Sequence, residues 1–311
     1  MPRNSVAPSE APFSATRRLN RKAILLMFCA LSLLICLDAS GKFLGQQGVP
    51  VAASVWSRYL GHVVVAALMF VPQLGWGAFR PANPTLQWAR GGLMLLVTLF
   101  YFGALKYLPL AEATSLFFLT PILTTLLAAW WLREYPSRIT IMAIALGFVG
   151  VLIVARPGTG LASFGVMLVV CAAICNALYQ TLTRVASVST TRVESAGTQL
   201  IYSGLVGAVI MSLAMPFWWS WDWWQAADTS TRIVFIAMGV LGALGHWLLI
   251  RAYSLVAAMV LTPWMYMQLA LSVLLGWLIF GAVPDGLTLL GIAVIATAPQ
   301  LTRIERRAAP V

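Results

Sequence analysis

The chain reads as an all-α integral membrane protein of ten transmembrane helices, arranged as two inverted five-helix repeats. Three observations carry that reading. Of 311 residues, 60% are hydrophobic and only 9% charged. Apolar runs of membrane-spanning length follow one another with short breaks. The second half also weakly repeats the first. Soluble chains carry roughly 45–50% apolar and about 25% charged residues, so this one cannot clothe a water-facing surface. Disorder, a coiled coil and a soluble enzyme domain are all poor fits to this composition.

Each element has its own justification. Residues 1–22 are polar, with Pro2, Pro8 and Pro12 and the basic cluster Arg17, Arg18, Arg21 and Lys22, and are expected to form a flexible tail. The next apolar run is too long for a signal-peptide core and should stay as the first span. At about 20 residues per crossing, the spans fall at 23–45, 51–72, 86–106, 110–132, 138–156, 163–184, 195–217, 232–253, 256–280 and 286–302. Breakers mark the connectors, among them Gly48-Val49-Pro50, Pro81-Ala82-Asn83-Pro84, Arg156-Pro157-Gly158 and Val283-Pro284-Asp285. Short linkers make neighbouring helices antiparallel.

Charge sets the expected orientation. With the N-terminus inside, 15 Lys and Arg fall on the cytoplasmic side and 4 (Lys42, Lys106, Arg156, Arg232) outside, while Arg58 lies within the second span. The positive-inside rule then places both ends in the cytoplasm. A net charge of +11 is therefore read as topology and lipid anchoring, with no nucleic-acid partner. Trp218, Trp219, Trp221, Trp223 and Trp224 in the seventh connector read as an interfacial belt or a ligand platform.

An offset of 142 residues pairs Cys29 with Cys171, Asp38 with Gln180, Lys42 with Arg184, and Leu119-Thr120-Pro121 with Leu261-Thr262-Pro263; nearer the end an offset of 148 aligns Pro136 with Pro284. Five spans per half is odd, so the halves insert in opposite senses. Inverted repeats place a binding site near mid-membrane, where the halves rock against each other. The expected layout is a first repeat over 23–156, a second over 163–302 and a short cytoplasmic tail over 303–311.

Ionisable groups inside a span are functional candidates by default. Asp38 and Arg58 sit at similar depths on neighbouring helices and are expected to face the interior, with two readings open: a static ion pair that fixes packing, or a polar anchor for a zwitterionic substrate or a protonatable acid that couples transport. Lys42, four residues on from Asp38, is a competing or additional partner. Asn176, Tyr179 and Gln180 form a polar patch on the sixth span. Tyr101, Phe118, Trp264 and Tyr266 supply aromatic surface, the last two beside a bend at Pro263. His246 reads as a buried hydrogen-bonded side chain or a substrate ligand, and Glu112 as a partner for the positive end of the fourth helix. The four cysteines form no metal motif, no phosphate-binding loop occurs, and no cofactor is expected.

The segment Ala111-Glu112-Ala113-Thr114-Ser115-Leu116-Phe117-Phe118-Leu119-Thr120-Pro121, running to Leu132-Arg133-Glu134, resembles the end of the first repeat in EamA-type members of the drug/metabolite transporter superfamily. Gly245 to Tyr253, with Pro263, Tyr266, Gly276-Trp277 and Phe280 to Asp285, is similar to the matching region of the second repeat. The resemblance implies a secondary transporter of the inner membrane, usually an exporter of amino acids or other small metabolites. It also implies a cavity lined mainly by helices 1, 3, 4, 6, 8 and 9. Ala282 stands where the family usually has Glu, and Ala296-Thr297-Ala298-Pro299-Gln300 departs from its usual ending, pointing to an early end of the tenth helix. Uptake of a nucleoside-like metabolite is the alternative. A membrane enzyme would need a clustered nucleophile and base, which the sequence does not offer. Proton coupling stays open.

Overall fold

The computed structural model describes residues 13–131, 138–156, 162–188, 195–255, 265 and 267–308. Among these the chain is helical, with short connectors and no strand. The helices are α1 (Phe13–Gln46), α2 (Val51–Leu74), α3 (Pro84–Ala104), α4 (Leu110–Phe117), α5 (Leu119–Trp131), α6 (Arg138–Ala155) and α7 (Ser163–Val188). They continue as α8 (Ala196–Leu213), α9 (Met215–Trp218), α10 (Trp221–Ala226), α11 (Thr229–Leu255), α12 (Met267–Phe280) and α13 (Gly286–Ala308). Every expected span contains helix. The first part of the ninth, 256–264, lies outside the described residues.

Five stretches have the length and apolarity of a full crossing: Leu19–Gln46, Val51–Phe79, Leu110–Leu127, Ser163–Thr183 and Thr229–Ala252. Four shorter apolar helices accompany them, Ile141–Val154, Gly197–Leu213, Met267–Phe280 and Gly286–Thr297. Large apolar side chains point outward along these helices, as at Leu68 (72% exposed) and Ile236 (65%). Such a surface is stable against acyl chains and not against water.

Three sequence expectations need correction. Helix α1 starts at Phe13, so the basic residues expected in a flexible tail sit on helix continuous with the first span. Once nucleated, a helix extends through Arg, Leu and Lys at little cost. The tenth helix does not end early, because α13 runs through Pro299 to Ala308 and takes in most of the expected C-terminal tail. The fourth span is broken in two. Pro121 has no N–H to return to the Phe117 carbonyl and crowds it, and the chain tightens there, with the Phe118 N–H donating to the Ser115 carbonyl at 3.2 Å.

Packing follows a simple plan. Helix α1 lies along α11, α3 along α7, α2 along α8, α4 along α12 and α6 along α13. In the order of the expected spans, these pairs are first with eighth, third with sixth, second with seventh, fourth with ninth and fifth with tenth. Exchanging the halves maps that set of pairs onto itself. The fifth–tenth pair is clamped at one end by Arg156 and Asp285, whose side chains form an ion pair. Asp285 also caps α13, accepting from the Thr288 N–H at 2.9 Å.

A close backbone approach joins α2 to α11, where a Cβ added at Gly61 would meet the Gly239 Cα at 2.8 Å. Only paired glycines permit this contact, which sets the distance between the helices that carry Arg58 and His246. Gly239→Val is expected to push them apart at a cost of about 1–3 kcal/mol, read as a lower unfolding midpoint in detergent, whereas the same change at open Gly92 should be nearly silent.

The Arg156 side chain, then the Thr288 N–H and hydroxyl, hold the Asp285 carboxyl well below the usual carboxylate range. A depressed folded-state pKa stabilises the fold at neutral pH, and that contribution is lost as pH falls through the acid range. The gap in unfolding midpoint between the native chain and Asp285→Asn should therefore be present at pH 7 and shrink on acidification. A gap independent of pH would argue against the ion pair.

Candidate functional site

Asp38 lies eight residues before the end of α1 and Arg58 seven residues after the start of α2, so both sit roughly 10–12 Å in from the same ends. Arg58 is 8% exposed. Its Nη1 donates to the Thr98 Oγ1 on α3 at 2.6 Å, and the guanidinium lies over the rings of Tyr59 and Phe102 at 5.4 and 5.5 Å. The Tyr59 hydroxyl donates to the Met94 carbonyl at 2.6 Å and stands 2.7 Å from the same Thr98 oxygen.

The expected direct pair between Asp38 and Arg58 does not form. Among the described residues Asp38 makes no hydrogen bond or ion pair, although Arg58 is close enough for the two charges to interact. Thr98 and the Phe102 ring on α3, with the neighbouring Tyr59 ring, hold the guanidinium and leave the carboxylate without a direct partner among the described residues.

Lys42 turns away from Asp38, also against expectation. Its ammonium donates to the carbonyls of Leu105 and Leu108 at 3.0 and 2.8 Å and lies 5.6 Å from the Phe280 ring. Leu105 caps the C-terminus of α3, where unpaired carbonyls and the negative end of the helix dipole attract a cation. Glu112 occupies the first turn of α4, as its sequence position suggested, within electrostatic reach of Lys42.

Tyr101 is 6% exposed, its hydroxyl 3.1 Å from Thr114 Oγ1 and its ring 5.1 Å from Phe117. It therefore joins α3 to α4 rather than facing open space. Phe118 sits half-buried at the break between α4 and α5. Trp264 and Tyr266 lie outside the described residues.

The α7 patch divides. Asn176 is half-buried and Gln180 exposed, whereas Tyr179 packs under the Arg90 guanidinium at 5.2 Å. Arg90, counted from sequence as a cytoplasmic anchor, is instead 3% exposed within the bundle.

A histidine pair escaped the sequence reading. The rings of His246 and His62 lie 6.0 Å apart. His62 is 4% exposed, its Nε2 3.1 Å from the Leu200 carbonyl and 3.4 Å from Ser203 Oγ. The Nε2 of His246 is buried with no hydrogen-bond partner among the described residues. The available signal was helical spacing: His62 follows Arg58 by four residues and so shares its face. Gly242, four before His246, turns the same strip of α11 toward them, since a Cβ there would lie 3.7 Å from His62 Nδ1 and 3.9 Å from Arg58 Cγ.

The arrangement is thus a small polar cluster deep in an apolar bundle, with one carboxylate, one guanidinium and two imidazoles on α1, α2 and α11, backed by Thr98 on α3. No group of three metal-ligating side chains occurs among the described residues. Charged and hydrogen-bonding groups of both kinds, held at depth and only partly satisfied, suit reversible binding of a polar solute.

A multi-pass helical membrane protein with such a cluster belongs to the class of small-molecule carriers. Residues 21–156 match the EamA-like transporter family. The chain is 29% identical to a riboflavin transporter of Vibrio cholerae over 80% of its own length and 82% of the relative's. It is 27% identical to an S-adenosylmethionine uptake transporter of Rickettsia bellii, covering 84% of this chain and 86% of that one. With a pseudopaline exporter of Pseudomonas aeruginosa it shares 28% identity over 80% and 85% of the two lengths. A solved crystal structure matches the fold with a TM-score of 0.62 at 20% identity, covering 95% of this chain and 99% of that one. The chain thus carries an EamA-like segment over residues 21–156 and is similar along most of its length to proteins named as transporters.

Thr98→Val removes the hydrogen-bond acceptor of Arg58 while keeping shape. The expected cost is about 1–3 kcal/mol for an unpaired buried donor, seen as a lower unfolding midpoint. A Thr98→Ser variant should restore most of it, and no difference between the two would mean that aromatic packing alone holds the guanidinium.

Proposed function

We propose that the chain is a secondary carrier of small metabolites that works by alternating access, with Asp38 and Arg58 as the two poles of its substrate site. The observation that carries this reading is the unpaired state of the two charges. A structural ion pair would close to contact, because separation in a low-dielectric interior is costly. Asp38 and Arg58 are near enough to interact yet form no ion pair with each other, an arrangement that suits a solute bearing a cationic and an anionic or carbonyl group. That chemistry suits amino acids and related amphipathic amines.

The symmetric set of helix pairs supports ten crossings in two inverted repeats, 23–156 and 163–302, whose rocking would expose the site alternately. The excess of Lys and Arg on one side supports cytoplasmic termini in an inner membrane. His246, with its unpaired nitrogen, and the half-buried Asn176 and exposed Gln180 are proposed as further solute contacts, together with Trp264 and Tyr266. Lys42 and Tyr101 are proposed to shape the site through α3. Export is the favoured direction, as in the relative named an exporter, while the relatives named for uptake make import the second reading.

Counterflow in proteoliposomes across a panel of amino acids and amines, with and without a pH gradient, tests substrate class and proton coupling together. Asp38→Asn and Arg58→Gln should each lower transport of the best substrate at least roughly tenfold, the loss of one charge-assisted contact, while the protein remains folded. Transport unchanged in both variants would remove these residues from the site.

A further inference from the structure

Among the described residues the interior charges do not balance. Lys42 lies within electrostatic reach of Glu112, and Arg58 of Asp38. Arg90, at 3% exposure, has no carboxylate within ion-pair distance among the described residues. Its Nε donates to Thr183 Oγ1 at 2.9 Å, Nη1 to Gln87 Oε1 at 2.7 Å and Nη2 to the Tyr179 hydroxyl at 3.5 Å. A guanidinium has five N–H donors, so these three bonds leave two unused. Neutral dipoles of this kind lower the cost of burying the cation without neutralising it.

The position of this charge matters as much as its partners. Arg90 precedes Thr98 by eight residues on α3, about 12 Å along the helix, so the guanidinium of Arg58 is roughly two turns away. Tyr59 stands between them, bonded to the Met94 carbonyl and close to Thr98, and within electrostatic reach of Tyr179. On the α7 side the lining is not sealed, because Tyr179 and Thr183 are half-buried and Gln180 is exposed. Two spare guanidinium donors, a charge with no carboxylate partner among the described residues and a partly exposed α7 face suit a planar or tetrahedral oxyanion.

We propose that Arg90, held in place by Thr183 and joined by the Tyr179 hydroxyl, binds the carboxylate or phosphate group of the transported solute, at a subsite from which that group passes to Arg58. The inference rests on the transport reading and deepens it: the solute carries an oxyanion, and α3 presents two cationic stations in series. A lipid headgroup phosphate shares the same chemistry, so the test must separate the two sources.

Thermal unfolding of the full chain is followed in detergent while glutarate, inorganic phosphate or uncharged glutaramide is titrated at constant ionic strength. Glutarate and phosphate should raise the midpoint saturably and glutaramide should not. Arg90→Gln should weaken the apparent affinity for glutarate about tenfold or more. Arg90→Lys, which keeps the charge without the fork, should fall between and decides the matter if the glutamine variant does not fold. Arg58→Gln should retain the Arg90-dependent shift, so that failure of the central site and failure of this subsite read differently.

Equal stabilisation of the native chain and Arg90→Gln by glutarate would overturn the proposal. So would absence of any glutarate or phosphate effect on the native chain. In bilayers of phosphatidylcholine with and without phosphatidylglycerol, an Arg90-dependent shift produced by phosphatidylglycerol and not by glutarate would assign the oxyanion to lipid and likewise overturn it.

Discussion

The cost of holding charge inside an apolar bundle is the constraint on which the rest of the structure depends. An unpaired buried ion is expensive enough that each must be satisfied, screened or used. This chain satisfies Lys42 with the carbonyls that end α3, and the Arg156–Asp285 pair closes one end of the α6–α13 contact. It holds Arg58 with one hydroxyl and two aromatic faces and leaves Asp38, within electrostatic reach, without a hydrogen-bond partner among the described residues. Those last two residues are where the fold has accepted a cost without an evident structural return.

Small residues and one proline give the cluster its shape. The Gly61–Gly239 contact brings α11 against α2, and Gly242 keeps that face flat, so His246 lies beside His62 and near Arg58. Close backbone approach is the usual way for helices to associate in a bilayer, where lipid removes the hydrophobic drive between them. The break before Pro121 separates α4 from α5 near the point where Tyr101 and Phe117 join α3 to α4. A discontinuous helix beside a polar cluster leaves backbone groups to be satisfied locally, which membrane proteins tolerate mainly around a solute pathway.

Composition and periodicity carried much of the architecture, because a span needs only length and apolarity and a connector only a breaker. The sequence could not reveal how side chains choose among partners. Asp38 and Arg58 were matched by depth, yet Arg58 turns to Thr98, a residue that hydropathy treats as neutral. Lys42 was assigned to Asp38 by helical spacing, whereas free carbonyls at a helix end attract it more strongly. Arg90 looked like an anchor because it falls near the predicted start of the third span, and only packing against α7 shows it buried. His62 was legible through its spacing from Arg58, but that signal gains meaning only once α11 is known to face the same strip.

The claim that most needs testing is that position 38 faces a water-filled pathway rather than lipid or sealed packing. In a variant lacking Cys29, Cys36, Cys171 and Cys175, a single cysteine is placed by Asp38→Cys and exposed to a membrane-impermeant thiol reagent added to one side or the other of sealed vesicles. The account predicts modification from the aqueous phase, changing in rate when the opposite face of the carrier is locked open by cross-linking. A thiol that stays inert to the aqueous reagent from both sides, in a folded protein, contradicts it.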